Sequence, residues 1–287
     1  MKVLTFGEIL WDVYPTEKFL GGASLNFGAH LAKHGHEVYM LSALGQDDLG
    51  REALEQVRAW NMRTDFVAVL ENQPTGACVV TLDEKGMPTY DLKNNVAYDV
   101  ISGEVAGDFD VLYFGTLALR GDHNRASVKK LLAEKTFTQV FVDVNIRPPY
   151  QFPETAAMAA ENATILKVSE EELNEVARLL GMEKAKHDVF AKALAAKYPN
   201  LRYIVITLGG DGAYGLDCVS GAEVTCPSEK VKVASTVGAG DSFGAAFLHK
   251  LFAGGDLESC LRYAGKVAAF VVSQNPAVPD YDPKKLA

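Results

Sequence analysis

Short apolar runs alternate along this chain with longer stretches in which apolar positions recur every three or four residues. Val3-Leu-Thr-Phe-Gly7, Val38-Tyr-Met-Leu-Ser-Ala43, Val111-Leu-Tyr-Phe114, Gln139-Val-Phe-Val-Asp143, Ala163-Thr-Ile-Leu-Lys167 and Tyr203-Ile-Val-Ile-Thr207 read as strands. Between the first of these, Ser24 to His34 and Asp48 to Trp60 read as helices, the second with Leu49, Ala53, Leu54, Val57 and Trp60 on one face. Ala245 to Phe252 is apolar enough for a buried helix. Strands rich in Val and Ile separated by helices predict an α/β fold with a central, mostly parallel sheet covered on both faces. In such sheets ligands bind beyond the carboxyl ends of the strands. Asp12, residues 143–147, 169–172 and 209–212 are expected there.

One region breaks the alternation. Residues 75–83, a turn at 84–88 and residues 89–92 predict a β-hairpin inserted between strand–helix units. With residues 9–19 it would make a small sheet beside the main body, so a single domain over 1–287 is expected, with a lid from about 9–19 and 74–98. An ordinary surface hairpin is the simpler alternative.

Composition narrows the function. At 287 residues with 48% hydrophobic side chains, the chain can bury a large core. Its formal charge of −9 argues against a nucleic-acid or anionic-membrane surface. Any phosphate site here must therefore use local amides and metal ions. Cys78, Cys218, Cys226 and Cys260 lack C-x-x-C spacing, no signal-peptide pattern precedes Lys2, and no apolar run reaches transmembrane length. Reduced thiols in a cytoplasmic protein are the expectation.

The densest chemistry lies in Ser235-Thr-Val-Gly-Ala-Gly-Asp-Ser-Phe-Gly244, where small residues bare their amides at a helix start that carries one carboxylate. Amides without intrahelical partners and the helix dipole together stabilise phosphate oxygens. A carboxylate is a poor choice for holding phosphate, but at Asp241 it suits a base that takes a hydroxyl proton while the amides of Gly238, Ala239 and Gly240 receive charge on a transferring phosphoryl group. A plain helix cap is the structural alternative for Asp241.

Thr236-Val-Gly-Ala-Gly-Asp241 resembles the C-terminal signature of the ribokinase-like (PfkB-type) carbohydrate kinases, and Gly21-Gly-Ala-Ser-Leu-Asn26 resembles their N-terminal one. The likeness spans nearly the whole chain, and Asp143-Val-Asn-Ile-Arg-Pro-Pro149 looks most like the fructokinase branch and its sugar-acid neighbours. The resemblance implies ATP-dependent phosphorylation of a small sugar, with ATP and Mg2+, room for a monovalent cation such as K+, and a lid that closes over the sugar and can pair two subunits as a homodimer. It assigns Asp12, Gly22 and Asn26 to the sugar. It also assigns Thr207, Gly209 and Gly212 to the nucleotide, with Asn275 near adenine. Where the family commonly carries Asn-x-x-Glu, this chain has Ser169 and Glu172, which also fit a capping box, so Glu172 is expected to organise Mg2+ through water.

Arg120 and Arg147 are candidates for a substrate carboxylate; pairing of Arg147 with Asp143, on a shared strand face, is the alternative. Fructose is the leading substrate, and 2-keto-3-deoxygluconate or a related sugar acid the other. A non-catalytic sugar or nucleotide sensor is the competing class. A nicotinamide enzyme would need G-x-G-x-x-G after the first strand, and Gly7-Glu-Ile-Leu-Trp11 lacks it. His30, His34 and His36 are expected in surface or capping roles.

Overall fold

The computed structural model describes residues 1–82 and 88–286, with the backbone alone at 82 and 88–90. The chain starts with β1 (Lys2–Phe6), β2 (Leu10–Val13), β3 (Lys18–Gly21), helix α1 (Ala23–Lys33), β4 (Glu37–Gly45), α2 (Asp48–Ala59) and β5 (Arg63–Leu70). The inserted hairpin follows as β6 (Gly76–Leu82) and β7 (Pro88–Leu92); of the turn expected at 84–88, residues 84–87 lie outside the described residues and Pro88 opens β7. Next come β8 (Val111–Gly115), α3 (Asp122–Glu134), β9 (Gln139–Asp143), α4 (Pro153–Asn162), β10 (Ile165–Ser169), α5 (Leu173–Leu179), α6 (His187–Lys197) and β11 (Tyr203–Thr207). The chain closes with β12 (Ala213–Asp217), β13 (Glu223–Cys226), α7 (Ala239–Phe252) and α8 (Leu257–Val272).

Nine strands form one sheet in the order β13-β12-β11-β10-β9-β8-β1-β4-β5, parallel from β11 to β5 and antiparallel at β12 and β13. Alternation along each strand divides the core in two. Leu4, Phe6, Leu112, Phe114, Val142 and Leu166 enter one cluster, which also takes apolar residues of α3 to α6. Val3, Val111, Tyr113, Phe141, Ile165 and Val205 enter the other, which takes those of α1, α7 and α8. On this second face Phe27 stacks on Tyr113 with ring centroids 3.9 Å apart and planes at 19°, an arrangement worth about 0.5–1.5 kcal/mol beyond its buried area.

The small sheet runs β3-β2-β6-β7, with β2 parallel to β6 and the outer pairs antiparallel. The region expected as a lid is thus a separate four-stranded layer, reaching Gly21 on one side. Its base is tied to the main sheet at one carboxylate. Asp47, the N-cap of α2, accepts from Gly50 N at 2.7 Å, from Thr75 N at 2.8 Å and from Thr75 Oγ1 at 2.6 Å. Thr75 Oγ1 in turn receives the Gly45 amide at 2.9 Å. Asp47→Ala removes the cap and both Thr75 bonds, so we expect a loss of about 1–2 kcal/mol in urea-denaturation stability with an unchanged m-value.

Candidate functional site

Two chain segments more than two hundred residues apart meet where the parallel strands end. Gly22 caps α1 with φ 117°, and a Cβ there would stand 2.4 Å from Glu8 O, so the bend before Asn26 requires glycine. Asn26, one turn into α1, donates from Nδ2 to Asp241 Oδ2 at 2.8 Å. Asp241 belongs to the first turn of α7, whose N-cap is Gly238 with φ 81° and no capping side chain. The capping alternative for Asp241 is therefore not realised, and neither is a purely local role for Asn26, since its amide crosses to another helix. Asn26 Oδ1 is buried without a protein partner.

Burial pushes the Asp241 carboxyl up to about 6, against the Asn26 bond and the attraction of Lys167. The amides at the start of α7 differ from expectation in one respect. Ala239 N donates to Thr236 O at 3.3 Å, whereas those of Gly238, Gly240 and Asp241 have no acceptor among the described residues. The open cradle is thus shifted by one residue at Ala239. Gly238 is held closely from behind, because a Cβ on it would lie 2.8 Å from Ala277 Cα.

Asp12 sits on β2 of the small sheet, paired in register with Phe19, and a Cβ on Gly21 would approach its Oδ2 to 3.3 Å. Burial raises its carboxyl to about 6, and Arg147 opposes that shift. The positive charge of Arg147 also acts weakly to lower the Asp241 pKa. Beside Asp12 opens a cavity of about 140 Å3, lined further by Phe19, Ser235, Val237, Asn275 and Ala277. It joins the small sheet, the approach to the α7 cradle and the segment expected near adenine. A larger surface cleft of about 260 Å3, lined by Glu229, Lys266, Phe270 and Lys285 among others, contains none of the candidate residues.

Several expectations need correction. Strand β9 ends at Asp143, which is buried, while Asn145 and Arg147 follow in a loop and Arg147 is exposed, so the three do not share a strand face. Asp143 does not pair with Arg147. Its two oxygens accept from Lys167 Nζ at 2.8 Å each, and Arg147 forms no ion pair among the described residues. Arg120 is not an open cation either. It is held by both Asp99 oxygens at 2.7 and 2.8 Å and by Lys93 O at 2.8 Å, between the rings of Tyr98 and Tyr150, with only Nη1 unpartnered.

Glu172 uses both carboxylate oxygens within its own surroundings. Oε1 accepts from Ile146 N at 2.7 Å, and Oε2 from Ser169 N at 3.2 Å and Ser169 Oγ at 2.6 Å. The capping box is therefore formed, and the carboxylate as placed does not fit direct metal ligation. No group of three or more His, Cys, Asp or Glu suited to a metal occurs among the described residues. Thr207 ends β11, and the turn at 209–211 places Gly209 at φ 57° and Gly212 at φ 111° before β12 returns antiparallel.

His30 is not superficial. It is fully buried, with Nε2 3.0 Å from Ala277 O and Nδ1 2.9 Å from Tyr281 Oη. The carbonyl can only accept, so Nε2 carries the proton and Tyr281 donates to Nδ1. His34 bonds to His30 O and Tyr263 Oη, and His36 to His249. Sequence reasoning also missed Lys167. Its signal was a single charged residue inside the apolar run of β10.

Comparison with known proteins identifies the family. Residues 4–283 match the family model described as pfkB family carbohydrate kinase. A fructokinase of Rhizobium leguminosarum bv. trifolii is 30% identical over 271 residues, 87% of this chain and 79% of the relative. A 5-dehydro-2-deoxygluconokinase of Listeria monocytogenes is 27% identical over 294 residues, 96% of this chain and 87% of the relative. The crystal structure of a Vibrio cholerae fructokinase double mutant, in its fructose-, ADP- and potassium-bound form, superposes with a TM-score of 0.82 at 22% identity. It covers 96% of this chain and 94% of its own, a likeness of fold.

The Asp241 carboxyl should titrate with a midpoint near 6 in 13C NMR. Asn26→Ala removes a donor that favours the ionised form, so its midpoint should move higher; a midpoint that stays in place would show that this bond does not govern Asp241.

Proposed function

Because this chain belongs to the pfkB family of carbohydrate kinases and is an ATP-dependent sugar kinase, we propose that it phosphorylates a hydroxyl of a hexose-sized sugar, with Asp241 as the general base. The observation that carries this reading is the bond between Asn26 and Asp241. It aims a buried carboxylate of raised pKa across the two glycine signatures, beside amides with no acceptor of their own. Asp12 and Asn26 bind sugar hydroxyls, and Gly22 lets the backbone approach them. Asp241 takes the proton of the attacking hydroxyl, and the amides of Gly238, Gly240 and Asp241 stabilise charge on the phosphoryl group in transit. Thr207, Gly209 and Gly212 receive the nucleotide phosphates, with Asn275 toward the base. Magnesium brought by the triphosphate would neutralise phosphate charge, and Glu172 would reach it only through water.

Fructose is the first substrate we propose, supported by the fructokinase relative. A sugar acid is the second reading, and a specific feature favours it. Arg147 is exposed, in no ion pair among the described residues, and its charge acts on the carboxyls of both Asp12 and Asp241. Such a cation suits a carboxylate at the far end of a sugar acid and is unnecessary for a neutral ketose. Arg120, already neutralised by Asp99, adds no charge to either reading.

ADP release measured across ketoses, aldoses, nucleosides and sugar acids tests the class and the substrate together. Release with none of them would leave the sensor reading in place. With the active sugar, Asp241→Asn should lower kcat by at least about 10²-fold while ATP binding persists, and a near-native rate would remove Asp241 from the mechanism. A base must be ionised, so kcat/KM should fall as pH drops through about 6, the value to which burial raises Asp241. Arg147→Ala should raise KM for a sugar acid far more than KM for ATP; equal KM values in variant and parent would favour the neutral ketose.

A further inference from the structure

Lys167 is buried next to the base, and the mechanism above gives it no part. Period-two alternation puts it on the same face of β10 as Ile165, the face covered by α7. In the parallel register it stands beside Asp143, and the neighbouring position beyond Asp143 is Gly115, which has no side chain to fill the space. The row Gly115, Asp143, Lys167 thus forms a small polar floor at the carboxyl end of the sheet.

Three features distinguish this lysine from one that only balances a buried acid. Its side chain is 6% exposed and that of Asp143 4%, so both charges are held out of bulk water. Its ammonium lies directly under the phosphate cradle, since a Cβ on Gly240 would stand 3.0 Å from Lys167 Nζ. Only Asp143 among the described residues accepts from Nζ, which leaves donor capacity toward Gly240. The carboxylates facing it from the surrounding elements are Asp143, Asp241 and Glu172. Burial works against the ammonium, but the surrounding carboxylates, Asp143 foremost, together outweigh it and favour the charged lysine.

On the kinase reading above, we propose that Lys167 is a catalytic cation, held by Asp143, that donates to an oxygen of the phosphoryl group as it passes from ATP to the sugar. The transferring group then lies between the α7 amides on one side and a dry ammonium on the other, so its charge meets fixed partners on both sides. Asp143 is the positioning residue. It holds Nζ at 2.8 Å from both of its oxygens and keeps it from turning toward Asp241.

The test compares wild type with Lys167→Met and with the double variant Asp143→Asn/Lys167→Met. The double variant removes both buried charges together, so no orphan carboxylate remains to unfold the protein, and it carries the test if the single variant does not fold. Calorimetric titration with ADP and with a non-hydrolysable ATP analogue gives a readout independent of turnover. We expect both variants to bind ADP as wild type does, to bind the analogue about 10-fold more weakly, and to lose about 10²-fold in kcat with little change in KM for the sugar. Recovery of kcat in the double variant to within about threefold of wild type, or undiminished affinity for the analogue, would show that Lys167 only neutralises Asp143. If wild type itself releases no ADP with any sugar, the kinase reading fails first, and the analogue titration still reports whether Lys167 meets the terminal phosphate.

Discussion

The site depends on one hydrogen bond, from Asn26 Nδ2 to Asp241 Oδ2 at 2.8 Å, between residues 215 positions apart. It joins the first turn of α1 to the first turn of α7, and both turns begin at glycines with positive φ, Gly22 and Gly238. A bond of this kind is worth little when exposed, but it matters where the acceptor is a buried carboxylate with few alternatives. It fixes the direction of the carboxylate and restrains the rise in its pKa. Burial raises the Asp241 carboxyl, and the amide of Asn26 and the charge of Lys167 oppose that rise, leaving it at about 6. A carboxyl at that value is mostly ionised at neutral pH yet basic enough to accept a hydroxyl proton.

The surrounding electrostatics resolve an apparent conflict. A chain with formal charge −9 should repel a triphosphate at long range. At short range the acids near the cradle are tied or neutralised by named partners. Asp143 is held by Lys167, Glu172 by Ile146 and Ser169, and Glu8 accepts the Ala23 amide while burial raises its pKa. At the cradle itself the open groups are the amides of Gly238, Gly240 and Asp241, with the Lys167 ammonium beneath Gly240. Local geometry decides the sign of the site, and net charge does not.

Much of this architecture was legible in the sequence. The alternating pattern identified the strands of the parallel sheet, because fully covered strands must be apolar on both faces, and the inserted hairpin stood out by breaking the period. The glycine signatures located both helix starts because those positions need positive φ. The failures share a cause. The sequence presents Lys167 only as the last residue of a strand, Arg120 as an open cation and His30 as a surface or capping residue. In each case the deciding fact is a partner distant in sequence: Asp143 one strand over, Asp99 from the loop after the hairpin, and Ala277 beyond α8. Periodicity reports which face a residue occupies, not which charge or carbonyl lies opposite. Asp143 and Arg147 show the same limit. Two-residue spacing implies a common face only while the strand continues, and β9 stops at Asp143.

Helix α1 connects these parts into one frame. At successive four-residue intervals it presents Gly22, Asn26 and His30, which meet Glu8, Asp241 and Ala277 in turn. His30 is buried completely, and burial lowers its pKa to about 3, so it stays neutral and keeps one proton on Nε2 for the Ala277 carbonyl across the pH range in which the protein would work. Ala277 backs Gly238, the N-cap of the cradle, and lines the cavity beside Asp12. One helix thus sets the amide of Asn26 and the position of the 275–277 segment relative to the same carboxylate, Asp241. If the two sides were referenced to different elements, each could shift separately, and the alignment that the proposed phosphoryl transfer needs would be lost. With both referenced to α1, a displacement of that helix moves them together, and His30, buried and bonded at both nitrogens, is the link to the 275–277 segment.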